Sequence, residues 1–90
     1  MITKYIANIS GSQLVVTGEG ILEGIYVTAT SSGTMKLIDG VAAGGSIMVN
    51  TFTPAAGYHN IGSARFFNGI YVEKGGTSID ATFFVRQEDR

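Results

Sequence analysis

Ninety residues suffice for one domain with a thin core, and the absence of cysteine excludes disulfides and thiolate metal sites as reinforcement. A single histidine argues against an imidazole-based metal site within one chain, and a net charge of −1 gives no electrostatic pull toward nucleic acid or an anionic membrane. Only 14% of residues are charged, against roughly 25% in an average soluble domain, so much of the exterior is expected to face another chain, the alternative being a monomer clothed in Ser, Thr, Asn and Gly.

Met1-Ile2-Thr3-Lys4-Tyr5 lacks the apolar core and cleavage site of a secretion signal, and no run approaches the ~18 apolar residues of a membrane span. Thr3 to Ile9 alternates, with Tyr5, Ala7 and Ile9 on one side, and predicts an edge strand. Ser10-Gly11-Ser12 turns it, Gln13 to Thr17 is a short apolar strand, and Gly18-Glu19-Gly20 breaks that strand. Ile21 to Thr30 follows, with Gly24 inside it marking a bulge or a close backbone approach. Ile25, Val27 and Ala29 then face one way, and Tyr26, Thr28 and Thr30 the other. After Ser31-Ser32-Gly33, Thr34 to Asp39 returns with Met35 and Leu37 on one face, which predicts a β-hairpin.

Asp39-Gly40 starts a flexible stretch ending at Ala42-Ala43-Gly44-Gly45, an alanine-glycine loop that either packs tightly against a neighbour or stays mobile. Ser46 to Phe52 places Ile47 and Val49 on one side and Met48 and Phe52 on the other, which predicts a strand covered on both faces. Pro54 marks a corner where its missing N–H costs no ladder bond. Tyr58 to Ile61 is a short strand, and Ala64 to Phe67 leads through the turn pair Asn68-Gly69 into Ile70 to Lys74. Gly75-Gly76 closes a second predicted hairpin with Thr77 to Arg86, expected to be the longest strand. Its inward face is Ile79, Ala81, Phe83 and Val85, and its outward face Asp80, Thr82, Phe84 and Arg86. The domain is thus residues 1–86, with 87–90 a charged tail. Gly24-Ile25-Tyr26-Val27 and Gly69-Ile70-Tyr71-Val72 lie 45 residues apart, as an internal duplication or as similar strands choosing similar residues. Seven to eight short strands with glycine turns, and no helical period, predict an all-β fold: a single small antiparallel β-sandwich or jelly-roll-like domain.

Chemistry is sparse. His59 is the lone imidazole, and there is no Gly-x-Ser-x-Gly elbow to activate a serine. Glu23, Asp39, Glu73 and Asp80 lie in strands or at strand ends, where Glu73 or Asp80 against Lys36 or Lys74 forms a cross-strand pair contributing ~0.2–1 kcal/mol. Gly18-Glu19-Gly20 and Gly44-Gly45 precede no helix, so neither is a phosphate loop. No catalytic, cofactor-binding or metal residue is assigned, and no cofactor is expected. An enzyme would need a site shared between chains, such as His59 of one meeting Asp39 of another. Tyr5, Tyr26, Tyr58, Tyr71 and the phenylalanines read as core and interface residues, or as a sugar-binding surface. Arg65 beside Phe66 and Phe67 lacks the basic surroundings of a nucleic-acid site. The outward Phe84 beside Arg86 suggests a subunit contact, with Phe52, Met48 and Tyr58 as further interface candidates.

The succession Gly24-Ile25-Tyr26-Val27, Ser32-Gly33-Thr34-Met35-Lys36-Leu37-Ile38-Asp39, Asn50-Thr51-Phe52-Thr53-Pro54-Ala55-Ala56-Gly57-Tyr58 and Gly69-Ile70-Tyr71-Val72 through Gly75-Gly76-Thr77 resembles small β-rich structural proteins of tailed bacteriophages. The match covers about Gly24 to Val85, and the first twenty or so residues carry none of it. The resemblance implies a non-enzymatic virion component: a capsid decoration (cement) protein, or a small joining or fibre-base protein. Its implied partners are copies of itself in a symmetric homo-oligomer, expected as a trimer, and other virion proteins such as the major capsid protein, with no nucleic acid and no membrane. A carbohydrate- or host-surface-binding module of a phage fibre or tail is the alternative.

Overall fold

The computed structural model describes residues 2–29, 32–77 and 79–87. They form eight strands: β1 (Ile2–Ile9), β2 (Gln13–Thr17), β3 (Gly20–Val27), β4 (Thr34–Asp39), β5 (Ser46–Phe52), β6 (Gly57–Phe66), β7 (Gly69–Gly75) and β8 (Ala81–Gln87). The first sheet has the order β1-β8-β3-β6 and the second β2-β7-β4-β5, with every pairing antiparallel. Each strand of the first half pairs with its mirror in the second: β1 with β8, β2 with β7, β3 with β6, β4 with β5. The chain is therefore one long antiparallel ribbon folded at β4–β5 and rolled until β8 meets β3 and β7 meets β4. This is a small β-sandwich with the strand order of a jelly roll.

Rolling brings the apolar face of each sheet inward. Leu22, Ile25, Phe83 and Val85 from the first sheet meet Met35, Leu37, Ile70 and Val72 from the second, all at most 1% exposed. The inward face expected for the last strand holds, since Ile79, Ala81, Phe83 and Val85 are all buried. That strand is shorter than expected, however, at seven residues. The longest is β6, at ten, because Gly62 (φ 76°) and Ser63 (φ 57°) carry the ladder through a bulge opposite Leu22–Gly24 instead of ending it.

Neither predicted hairpin forms. β3 and β4 lie in opposite sheets, as do β7 and β8. Glycine and serine specify that the chain reverses, but not whether it returns beside itself. Here Ile25 and Val27 face the core from one sheet and Met35 and Leu37 from the other, so the connection crosses the roughly 10 Å between the sheets. The two look-alike corners meet in space: Ser32 Oγ and Thr77 Oγ1 are 2.8 Å apart, and Gly33 packs so closely on the Thr77 carbonyl that no Cβ fits. β3 and β7 are both inner strands, each with two buried branched residues flanking a tyrosine, and these equal demands explain their shared Gly-Ile-Tyr-Val.

Asn68-Gly69 also changes sheet rather than making a hairpin. The Asp39 carboxylate accepts the N–H of Phe67 at 2.9 Å and of Asn68 at 2.8 Å, holding the corner open, and Gly69 takes φ 144°. The consecutive strands that do pair are β4 and β5, through the stretch read as a flexible loop. β5 is an edge strand, not one covered on both faces. Two register shifts against β4 let Met48, Val49 and Phe52 all reach the core, while Ile47 stays 56% exposed. β1 is an edge strand as expected, but Asn8 (φ 64°) shifts its register, so Ile9 turns inward while Tyr5 remains on the outer face. Lys36 and Glu73 stand directly opposite and pair at 3.4 Å, one of the cross-strand pairs expected. β8 runs to Gln87, whose side-chain amide donates to the Thr17 carbonyl at 2.7 Å; residues 88–90 of the charged tail lie outside the described residues.

A candidate binding depression on the outer face of the first sheet

The site grows from one irregularity. Glu23 is an extra residue in β3: Leu22 pairs with Val85 and Gly24 with Phe84, leaving Glu23 unmatched between them. Leu22 and Ile25 are core residues on either side of this bulge, so it turns Glu23 and Gly24 together toward the outer face. Gly24 then leaves a gap, and Tyr58 of β6 lies across it. A Cβ on Gly24 would fall inside the van der Waals envelope of Tyr58 Oη and Cζ, and 2.8 Å from the His59 carbonyl. Of the two readings of Gly24, the bulge forms beside it, and the close approach comes from the Tyr58 ring as well as from the His59 backbone carbonyl.

Phe84 stands beside Tyr58, with ring centroids 6.0 Å apart and planes tilted by 56°. Tyr26, which pairs with Tyr58 across the β3–β6 ladder, is 46% exposed, and Tyr58 is 55% exposed. Thr3, Glu23, Tyr26, Tyr58 and Phe84 line an open depression of ≈ 430 Å³. Glu23 is held at two points: Ser63 Oγ donates to its Oε1 at 2.7 Å, and Arg86 Nε ion-pairs with its Oε2. That Nε is buried and meets the carboxylate outside hydrogen-bond geometry, so the contact is mainly electrostatic. The depression therefore offers aromatic faces, phenol and threonine hydroxyls, and a fixed carboxylate whose charge is matched by Arg86.

Of the interface candidates, Phe84, Arg86 and Tyr58 come together here. Met48 and Phe52 do not join them; they lie on β5 in the other sheet, half-buried against the core. Phe52 also meets the His59 ring edge-on at 6.3 Å. Sequence reasoning missed Thr3 and Glu23 as members of this site, whereas Tyr26 is among the aromatics that read as core and interface residues or as a sugar-binding surface. Gly24 was the available signal, since a glycine in a strand whose neighbours are bulky marks where something lies across it.

The second sheet has a different exterior. Leu14, Tyr71, Ile38 and Ile47 are register partners in turn across all four strands. Leu14 is 40% and Ile47 56% exposed, whereas Ile38 is buried outside the main core cluster, beside Gly45. Elsewhere, His59 Nε2 is 2.7 Å from the Ala55 carbonyl. Arg65 pairs with Glu19 at 2.9 Å and lies 5.3 Å from the Phe67 ring centroid. No cluster of three or more His, Cys, Asp or Glu fit to hold a metal occurs among the described residues. No protein-family model matches the chain, and neither the curated proteins nor the solved structures compared with it give a match.

Proposed function

We propose that this chain is a non-enzymatic structural component of a tailed-phage virion, a capsid decoration (cement) protein that acts as a homo-oligomer. The observation that carries the assembly is the low charge together with Leu14 and Ile47, which are exposed on the outer face of the second sheet at its two edge strands. Exposed apolar side chains at both edges of one face, on a chain with 14% charged residues, are favourable when a neighbour covers them. The likeness of the glycine–strand segments to phage structural proteins supplies the virion setting, and the eight-stranded jelly-roll order is an architecture used by viral capsid domains. Contacts between copies on a shell tie capsomers together without chemistry, which agrees with a strand-borne set of carboxylates engaged in ion pairs and backbone brackets.

Electron micrographs of tailed-phage particles assembled with and without the chain test the reading. The expected result is extra density, repeated with the symmetry of the shell, only on particles that contain it. Particles with no such density, and no co-sedimentation of the chain with them, would refute it.

A further inference from the structure

We propose that the depression between Tyr26, Tyr58 and Phe84 is a binding site for a neutral saccharide. This goes beyond the structural reading and is independent of it, because it uses the sheet opposite the one that exposes Leu14 and Ile47. Three observations converge. First, the aromatic walls are arranged as a corner. Tyr58 and Phe84 are inclined at 56°, with Tyr26 exposed alongside. A sugar ring presents an apolar C–H face that lies against such a wall, while its rim of hydroxyls needs polar partners.

Second, those partners are present, and the charged one is fixed. Glu23 is oriented by Ser63 and Arg86 and retains lone pairs to accept from sugar hydroxyls; Thr3 adds a hydroxyl that both donates and accepts. Third, the charge is closed. Glu23 of the lining is neutralised by its ion pair with Arg86, so the site favours neither an anion nor a cation. An amphipathic, uncharged, hydroxyl-rich ligand matches all three. The depression is open to solvent, with ≈ 430 Å³ of space against these side chains. Its components also sit on paired strands rather than loops, with Tyr58 seated over Gly24, so little ordering is lost on binding.

The test is a 1H–15N NMR titration of the whole chain with the methyl glycosides of glucose, galactose, mannose and N-acetylglucosamine, and with cellobiose and lactose. Glycerol and glucuronate serve as controls. The expected result is a saturable shift with at least one of these sugars, confined to Glu23–Val27, Tyr58 and Phe84, with affinity on the order of 1 mM. Tyr58→Ala should weaken it about tenfold or more, and Lys36→Gln on the opposite sheet should leave it unchanged. If Tyr58→Ala does not fold, Tyr26→Ser at an exposed position is read instead. The proposal is overturned if no sugar gives a saturable shift at these residues. It is also overturned if glycerol or glucuronate shifts them equally, or if binding survives loss of the aromatic side chain.

Discussion

Replacing Gly24 by alanine probes the link from a single sequence position to the candidate site. The added methyl would overlap Tyr58 Oη and Cζ and approach the His59 carbonyl to 2.8 Å. The first obstacle is the end of a side chain and swings away. The second is backbone, so the β3–β6 ladder has to yield by several tenths of an ångström. Gly24 has no positive φ, so its backbone conformation suits alanine and the penalty is steric. Overpacking of this kind costs about 1–3 kcal/mol, and escape of the phenol puts the expectation at about 1–2 kcal/mol, or roughly 5–15 °C in Tm for a domain of this size. Thermal unfolding at one fixed protein concentration measures it. A double-mutant cycle isolates the cause. In the Tyr58→Ala background the phenol is gone, so Gly24→Ala should cost less by at least about 0.5 kcal/mol. An unchanged Tm for Gly24→Ala, or additive costs in the cycle, would refute the seating of Tyr58 over Gly24.

Asp39→Ala removes the acceptor for two backbone N–H groups at the β6–β7 corner and should lower stability by about 1–3 kcal/mol in denaturant titration, with Asp39→Asn recovering part of the loss. Phe83→Ala opens a cavity at a fully buried core position and should cost about 3–5 kcal/mol by the same assay. A loss below about 1 kcal/mol would contradict the placement of Phe83. Lys36→Ala breaks a pair whose side chains are 29% and 45% exposed, so its effect should stay within about 1 kcal/mol and shrink with added salt.

Period-two alternation made most of the architecture readable. Met35 and Leu37, Ile25 and Val27, and the Ile79–Val85 series all bury the faces that their spacing assigns. The sheet to which each strand belongs was not readable. A turn residue such as Gly33 or Gly69 permits a reversal, but whether the chain returns in the same sheet depends on distant partners: Thr77 for the first, Asp39 for the second. Bulges hid the rest. Asn8, Glu23 and the Gly62–Ser63 pair each shift parity by a residue, and alternation counted through them assigns Tyr5 and Ile9 to one side. The depression was half legible. Phe84 and Arg86 fall outward by simple counting, but Glu23 joins them only because of the bulge, and Tyr58 arrives from a strand far along the chain.

Sedimentation equilibrium over a range of concentrations tests the central claim, that this weakly charged sandwich is completed by neighbours. The account predicts a mass that is a multiple of the 9.5 kDa chain at micromolar concentration, falling toward one chain when Leu14 and Ile47 are both changed to serine. A mass of 9.5 kDa for the unaltered protein at every concentration would contradict it.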